Sequence, residues 1–246
     1  MYNYLIKIEY DGSGYVGWQY QKNGKSIQEK IEKALKKILK KNIRIIGAGR
    51  TDKGVHASGQ FANFKSIKKI DNKKKFLSSI NFFLRKSSIS ILDIKKKKKD
   101  FHARFSAKER VYTYYIVNRL ASLTLDKNKA WHVRRKINLE LLKKGGKTLV
   151  GTHDFSTFRA STCTAKSAIK KMNSIVIKKS QNKIILTFKS KSFLQNQVRS
   201  MVGCLEKLSS NEWSLKKFKE VLKSKKRTNC APPAPAYGLY LKNVRY

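Results

Sequence analysis

Both halves of the chain contain the same order of predicted elements, and this order constrains the fold more than any other feature of the sequence. Each half runs strand, helix, strand, strand, helix, strand, without the regular alternation of strand and helix that builds a parallel sheet. No short sequence repeat accompanies this order. We therefore predict an α+β protein of two similar halves, each with a largely antiparallel sheet and flanking helices, whose sheets meet at a central basic cleft.

The first predicted helix begins after Ser26. Ser26-Ile27-Gln28-Glu29 forms a capping box, and apolar residues follow it at spacings of three and four. Other segments of helical periodicity predict helices at residues 73–84, 139–150, 194–208 and 215–222. Segments of β-rich composition predict strands at residues 4–10, 43–46, 60–64, 89–94, 111–117, 168–178, 183–189 and 239–244. Gly145 and Gly146 weaken the third helix by about 1 kcal/mol each relative to alanine.

Five consecutive lysines, at residues 95–99, mark the best candidate for a domain boundary. Their mutual repulsion disfavours packing against a core. We therefore predict an N-terminal half at residues 1–99, which carries the Asp52 motif described below, and a C-terminal half at residues 100–246.

The charge of the chain indicates its class of partner. Lys and Arg number 57 against 15 Asp and Glu, for a formal net charge of +42 at pH 7. Such a field attracts polyanions and favours nucleic acid as the partner, although the excess of Lys over Arg also suits an AT-rich genome. The three cysteines are far apart and no signal-like leader precedes them, which predicts a reduced, cytoplasmic protein. No apolar run approaches the roughly 20 residues of a membrane span, so no membrane association is predicted.

The stretch "GAGRTDKGVH" at residues 47–56 contains one carboxylate, Asp52, on a predicted loop between two strands. It fails the dinucleotide pattern GxGxxG, because Asp52 occupies the third glycine position, and it lacks the Lys and Ser/Thr of a phosphate loop. The chain also has no HExxH, no zinc-type cysteine spacing and no GxSxG. We therefore predict no metal, no nucleotide and no other cofactor. Any chemistry falls to Asp52 or to basic and aromatic groups.

Asp52 has two interpretations from its residue type and neighbours. An aspartate between glycines is commonly a turn residue that bonds its own backbone. Arg50 and Lys53, however, favour the ionised carboxylate. An ionised carboxylate on a mobile, glycine-flanked loop suits a nucleophile or a base and is a poor general acid.

Several separated motifs carry a resemblance to a known family. They are "YDGSGYVGWQYQ", "GAGRTDKGVHASGQ", "FHARFSAKERVYTYYI", "FLQNQVRSMVG" and "APPAPAYGLYL", in this order along the chain. Together they resemble the tRNA pseudouridine synthase A family, which isomerises uridine to pseudouridine at positions 38, 39 and 40 of the tRNA anticodon stem-loop. The motifs extend from residue 10 to residue 241, so the resemblance covers nearly the whole chain.

The resemblance implies roles for four residues and a state of assembly. By this resemblance Asp52 is the expected catalytic nucleophile. The resemblance does not decide whether Asp52 attacks the uracil base or the ribose C1′. Tyr112 is expected to stack on the flipped uracil. Arg199 is expected to pair with the aspartate, and Arg50 is expected to hold the nucleotide out of the base stack. The resemblance also implies a homodimer that binds one tRNA across both subunits. Arg159, in "HDFSTFRAS", is a further candidate for RNA contact.

Other interpretations of these residues remain open. Tyr112 also fits an ordinary strand aromatic, His56 and His102 fit structural hydrogen bonds, and Phe155 and Phe158 fit the core. The basic charge and the aromatics also fit a non-catalytic RNA-binding protein of ribosomal type, which needs no carboxylate. A pseudouridine synthase with another RNA target is the second alternative.

Overall fold

The structure, a computed structural model, describes residues 1–246 and has mixed α and β secondary structure, as predicted. The strands are β1 (Tyr2–Tyr10), β2 (Ile45–Gly47), β3 (His56–Ser66), β4 (Ile89–Lys97), β5 (Glu109–Asn118), β6 (Trp131–Val133), β7 (Gly151–Asp154), β8 (Ile169–Ser180), β9 (Lys183–Ser190) and β10 (Leu239–Arg245). The helices are α1 (Ile27–Leu39), α2 (Lys73–Leu84), α3 (Leu139–Thr148), α4 (Gln197–Ser209) and α5 (Leu215–Lys223). No helix combines the length and the apolar character that crossing a bilayer requires.

The chain forms two compact units whose limits differ from the predicted halves. Unit 1 comprises Met1–Lys108 and Tyr240–Tyr246, and unit 2 comprises Glu109–Leu239. The lysine run does not form a linker, because its first three residues continue strand β4 and pair with β1. The C-terminal residues return to unit 1, where β10 pairs with β3.

Each unit contains a largely antiparallel sheet, as predicted. In unit 1, β1 lies between β3 and β4 and is antiparallel to both, β2 is antiparallel to β3, and β10 is parallel to β3. In unit 2, β9 lies between β5 and β8, β7 extends the antiparallel sheet beyond β8, and β6 is parallel to β5. Strand β9 buries every second side chain, as expected for a strand with one face against the core.

Local signals account for where the helices begin. The Ser26 side chain accepts a hydrogen bond from the Glu29 N–H at 3.2 Å, which confirms the predicted start of α1. Helix α2 has its predicted bounds, with Asn72 as its cap. The helix predicted from residue 194 begins only at Gln197, because Asn196 has a left-handed backbone with φ 61°.

The two glycines in α3 allow close packing of the helix. A Cβ atom on Gly145 would lie 2.5 Å from Leu208 Cδ2 and 2.8 Å from Leu205 Cδ2, both on α4. On Gly146, it would lie 3.0 Å from Ile177 Cδ1 on β8. Glycine therefore occupies these two positions despite its low helix propensity, because larger residues would not fit against α4 and β8.

We expect Gly145→Ala to destabilise the protein by about 1–3 kcal/mol, because the added methyl group overpacks buried leucines. Helix propensity alone predicts the opposite sign, a gain of about 1 kcal/mol. Measurement of the free energy of unfolding in urea distinguishes these two predictions. Lys144→Ala, at the exposed neighbouring position, is the control and should change it by less than about 0.5 kcal/mol. A stabilised Gly145→Ala variant would show that the leucines move aside at little cost.

Candidate active site

Asp52 lies on the loop between β2 and β3, as predicted, and we call residues 48–55 the Asp52 loop. Its side chain is half-buried, and Arg50 two residues earlier is exposed. Between them Thr51 is buried, with its Oγ1 2.7 Å from the Tyr10 hydroxyl in a buried hydrogen bond. The Thr51 carbonyl accepts a hydrogen bond from the Trp18 N–H at 3.0 Å. The residue before the carboxylate is thus fixed through both its side chain and its backbone.

A tight turn begins at Asp52. The Val55 N–H donates to the Asp52 carbonyl at 3.1 Å, and Gly54 at the third position has φ +78°. A turn with this φ favours glycine, because a side chain is strained there. The backbone therefore determines the direction in which the chain leaves the carboxylate.

The loop that follows β1, residues 11–18, supports the Asp52 loop from the side, and we call it the glycine loop. A Cβ atom on Gly12 would lie 2.1 Å from the Val55 carbonyl oxygen. Gly17 has φ +120°, and its Cβ would lie 2.7 Å from the Thr51 carbonyl oxygen. Only glycine permits backbones to approach this closely. These two glycines were not predicted as functional residues, although the spacing of glycines in "YDGSGYVGW" is a signal visible in the sequence.

His56 joins the glycine loop to the start of β3. The side chain is 2% exposed, and its Nδ1 accepts a hydrogen bond from the Gly12 N–H at 3.0 Å. Asp11 Oδ1 lies 3.2 Å from the same nitrogen, and the ring stacks on Tyr240 with centroids 4.6 Å apart. These contacts give His56 a positioning role next to the Asp52 loop.

Strand β3 holds the first residues of the Asp52 loop in place. The Gln60 side chain is fully buried and donates from Nε2 to the Gly49 carbonyl at 2.8 Å. The Ala48 N–H donates to the Phe61 carbonyl at 2.7 Å. Asp52 is therefore presented by a loop that is anchored before, beside and after the carboxylate, and not by the mobile loop that its glycines had led us to expect.

Tyr112 lies on β5 in unit 2, opposite Phe188 of β9. Its side chain is 7% exposed and packs edge-on against Phe193, with ring centroids 5.0 Å apart. Tyr114, two residues on, is fully buried and donates from its hydroxyl to the Pro235 carbonyl at 2.8 Å. Burial raises the pKa of Tyr114, so its hydroxyl stays protonated. The sequence pattern alone does not show how the surroundings of Tyr112 and Tyr114 differ, because both residues lie on the same predicted strand.

Arg199 lies in the first turn of α4 and is bound to the chain that follows α5. Its Nε donates to the Ala234 carbonyl at 2.8 Å, its Nη1 donates to Asn196 Oδ1 at 3.2 Å, and its own carbonyl accepts from the Ala234 N–H at 3.0 Å. One turn later, a Cβ atom on Gly203 would lie 2.2 Å from the Pro232 carbonyl oxygen. Residues 231–235, the proline segment, therefore lie directly against α4. The predicted ion pair between Arg199 and Asp52 stays a prediction.

Arg159 follows a short 3-10 helix, Ser156–Phe158, in unit 2. Its Nη2 donates to the Cys163 carbonyl at 3.3 Å, and the side chain is half-buried. Phe155 and Phe158 are fully buried, which confirms them as core residues. The role of Arg159 in RNA contact stays a prediction. No three His, Cys, Asp or Glu side chains lie close enough together to hold a metal ion.

Comparison with known proteins identifies what the chain is similar to. A family model described as tRNA pseudouridine synthase matches residues 6–106 and 146–246, in agreement with two similar halves. A relative from Pelagibacter ubique (strain HTCC1062), named tRNA pseudouridine synthase A, is 55% identical over 246 residues and 100% of both chains. A relative of the same name from Ehrlichia canis (strain Jake) is 43% identical over 244 residues, 99% of each chain. Another, from Maricaulis maris (strain MCS10), is 41% identical over 246 residues, 100% of this chain and 98% of the relative.

Proposed function

Because the chain belongs to the tRNA pseudouridine synthase family, which is a family of isomerases, we propose that it isomerises uridine to pseudouridine at positions 38, 39 and 40 of the tRNA anticodon stem-loop. In this proposal Asp52 is the nucleophile and no cofactor takes part. The glycosidic C–N bond breaks, the uracil rotates and a C–C bond forms. The observation that carries the proposal is the anchored Asp52 loop, which lies inside the first segment matched by the family model.

The anchoring of the loop supports a chemical role for Asp52. A nucleophile must be held at a defined position, because reaction rates depend on a near-attack geometry. Thr51, Gly54 and Gln60 restrict the backbone on both sides of Asp52. Either route, attack on the base or on C1′, uses the same ionised carboxylate.

Three residues complete the proposed uridine site. Arg50 is exposed on the Asp52 loop and would occupy the space that the flipped nucleotide leaves. Tyr112 would stack on the uracil, a contact worth about 1–3 kcal/mol per base. The Arg199 guanidinium uses Nε and Nη1 for Ala234 and Asn196, which leaves N–H donors for a carboxylate.

The proposed partner is tRNA, bound by a homodimer in the cytoplasm. The net charge of +42 supports an interaction with the phosphate backbone, and Arg159 is the candidate contact on unit 2. Phosphate contacts would position the tRNA, while base flipping would bring the uridine to Asp52.

Mapping of pseudouridine in tRNA tests this proposal. Cells that lack the protein should lose pseudouridine at positions 38–40, and the purified protein should restore it on tRNA transcripts without added cofactor. Loss of pseudouridine elsewhere, with an unaltered anticodon stem-loop, would favour the alternative of another RNA target. Binding without isomerisation would favour a non-catalytic RNA-binding protein.

We expect tRNA binding to weaken steeply with salt. If about 6–10 phosphates are contacted, affinity should fall by roughly 10³–10⁵ between 50 and 200 mM KCl, because bound cations are released from the RNA. Filter binding or fluorescence anisotropy at several salt concentrations measures the slope. Circular dichroism at the same concentrations controls for unfolding. A flat response would show that the positive charge reflects base composition of the gene and not RNA binding.

A further inference from the structure

Two cysteines of unit 2 lie side by side although they are 26 residues apart in sequence. Cys204 is on α4 and is fully buried, and Cys230 follows a short 3-10 helix, Arg227–Asn229. Their Sγ atoms are 3.4 Å apart, and both thiols are free. This separation allows a disulfide to form by a small side-chain movement. The third cysteine, Cys163, is also free and is buried.

The surroundings of the pair make the two sulfurs unequal. Cys230 is half-buried, whereas Cys204 is covered and accepts a hydrogen bond at Sγ from the Ala231 N–H at 3.3 Å. The hydrogen bond from Cys204 lowers the pKa of Cys230, with the positive charge of Arg227 acting in the same direction. The same hydrogen bond, together with burial, raises the pKa of Cys204. Cys230 is therefore the more acidic thiol of the pair and Cys204 the less acidic one.

A partly exposed cysteine whose sulfur lies 3.4 Å from a second free thiol is the arrangement of thiol-based redox sites. We propose that Cys204 and Cys230 form a redox-modification site that reacts with hydroperoxides and closes as an intramolecular disulfide. The Cys230 sulfur attacks the O–O bond of the hydroperoxide, which becomes an alcohol or water, and Cys230 becomes a sulfenic acid. The Cys204 sulfur then displaces the hydroxyl group of the sulfenic acid as water. In total two thiols are oxidised to one disulfide, and the hydroperoxide is reduced.

The position of the pair determines what the disulfide would change. Cys230 directly precedes the proline segment, which contacts α4 through Pro232 at Gly203 and through Ala234 at Arg199. Arg227 adds a hydrogen bond from Nη1 to Ser200 Oγ at 3.0 Å. A disulfide would join this segment covalently to α4 and would make the packing around Arg199 resistant to local opening. The proposal does not depend on the isomerase activity.

The test uses the full-length protein with hydrogen peroxide as the probe. After treatment, remaining thiols are alkylated and intact mass is measured, followed by peptide mapping without reductant. We expect a product with only Cys163 alkylated, a peptide that links Cys204 to Cys230, and full reversal by dithiothreitol. The melting temperature should rise by roughly 5 °C or more, because the cross-link restricts the unfolded chain.

Single substitutions separate the two sulfurs. In Cys204→Ser, Cys230 should stop at the sulfenic acid, which dimedone traps. Cys230→Ser should react at least about tenfold more slowly with peroxide, because the more exposed and more acidic thiol of the pair is lost. Cys163→Ala is the matched control and should form the disulfide like the unmodified protein. Oxidation of Cys163 before the pair, or formation of disulfides only between molecules, would overturn the proposal.

Discussion

Asp52→Asn is expected to abolish pseudouridine formation while tRNA binding changes by no more than about twofold. Asparagine keeps the size and shape of aspartate but is not a nucleophile, so the rate of isomerisation should fall by roughly 10⁴-fold or more. The Thr51 hydroxyl, the Gly49 carbonyl and the backbone hydrogen bonds of the loop are unchanged by this substitution and should continue to anchor it. Single-turnover release of tritium from uridine C5, in parallel with filter binding, measures both quantities.

A matched substitution controls for the loss of one negative charge. Asp71 is exposed and pairs with Lys69, with Nζ and Oδ1 2.7 Å apart. Asp71→Asn should leave stability unchanged, because exposed ion pairs contribute little to it. Since Asp71 lies outside the Asp52 loop, isomerisation and tRNA binding should also be unchanged. Full activity of Asp52→Asn would refute the proposed nucleophile. Loss of binding together with activity would instead assign Asp52 to RNA recognition or folding.

Gly17→Ala is expected to damage both stability and activity. The added Cβ would lie 2.7 Å from the Thr51 carbonyl oxygen and 3.3 Å from the Asp52 carbonyl carbon, and the backbone φ of +120° is strained for alanine. Since the obstructing atom belongs to the backbone, the Asp52 loop itself has to move. We expect a loss of at least about 1–3 kcal/mol in the free energy of unfolding. We also expect isomerisation to slow by about 10²-fold, because a displacement near 1 Å is enough to misplace a nucleophile.

The glycine loop provides its own control. A Cβ atom on Gly14 would meet nothing within 4 Å. Gly14→Ala should therefore be close to neutral, within about 0.5 kcal/mol, with activity retained. Urea unfolding and single-turnover rates of both variants measure the difference. Equal behaviour of Gly14→Ala and Gly17→Ala would show that the close approach of the two loops is not what positions Asp52.

Local chemistry explains which parts of the fold were predictable. The bounds of α2 follow from apolar spacing within the segment and from Asn72, which caps the helix. The two short strands β6 and β7, of three and four residues, were not predicted, because segments of this length carry no periodicity of their own. Their pairing with β5 and β8 determines their conformation.

The lysine run shows how partners distant in sequence override a local signal. Repulsion between neighbouring lysines predicted a domain boundary at residues 95–99, yet the first three lysines form part of β4 and unit 1 continues to Lys108. Strand β1 supplies their backbone hydrogen-bond partners, Asp93 Oδ2 lies 3.4 Å from Lys95 Nζ, and Lys96 Nζ lies 5.2 Å from the Tyr2 ring centroid. Their side chains remain largely exposed, where water screens the repulsion.

The sequence by itself determined the fold class, the starts of four of the five helices and the position of Asp52 on a loop between strands, because each depends on residues close together in the chain. The tertiary structure alone decided why Gly17 and Gly145 must be glycines and how Cys204 meets Cys230. These features depend on the distance between atoms far apart in sequence, such as Gly145 and Leu208. Periodicity and motif spacing do not encode such distances, which are set only when the elements pack together.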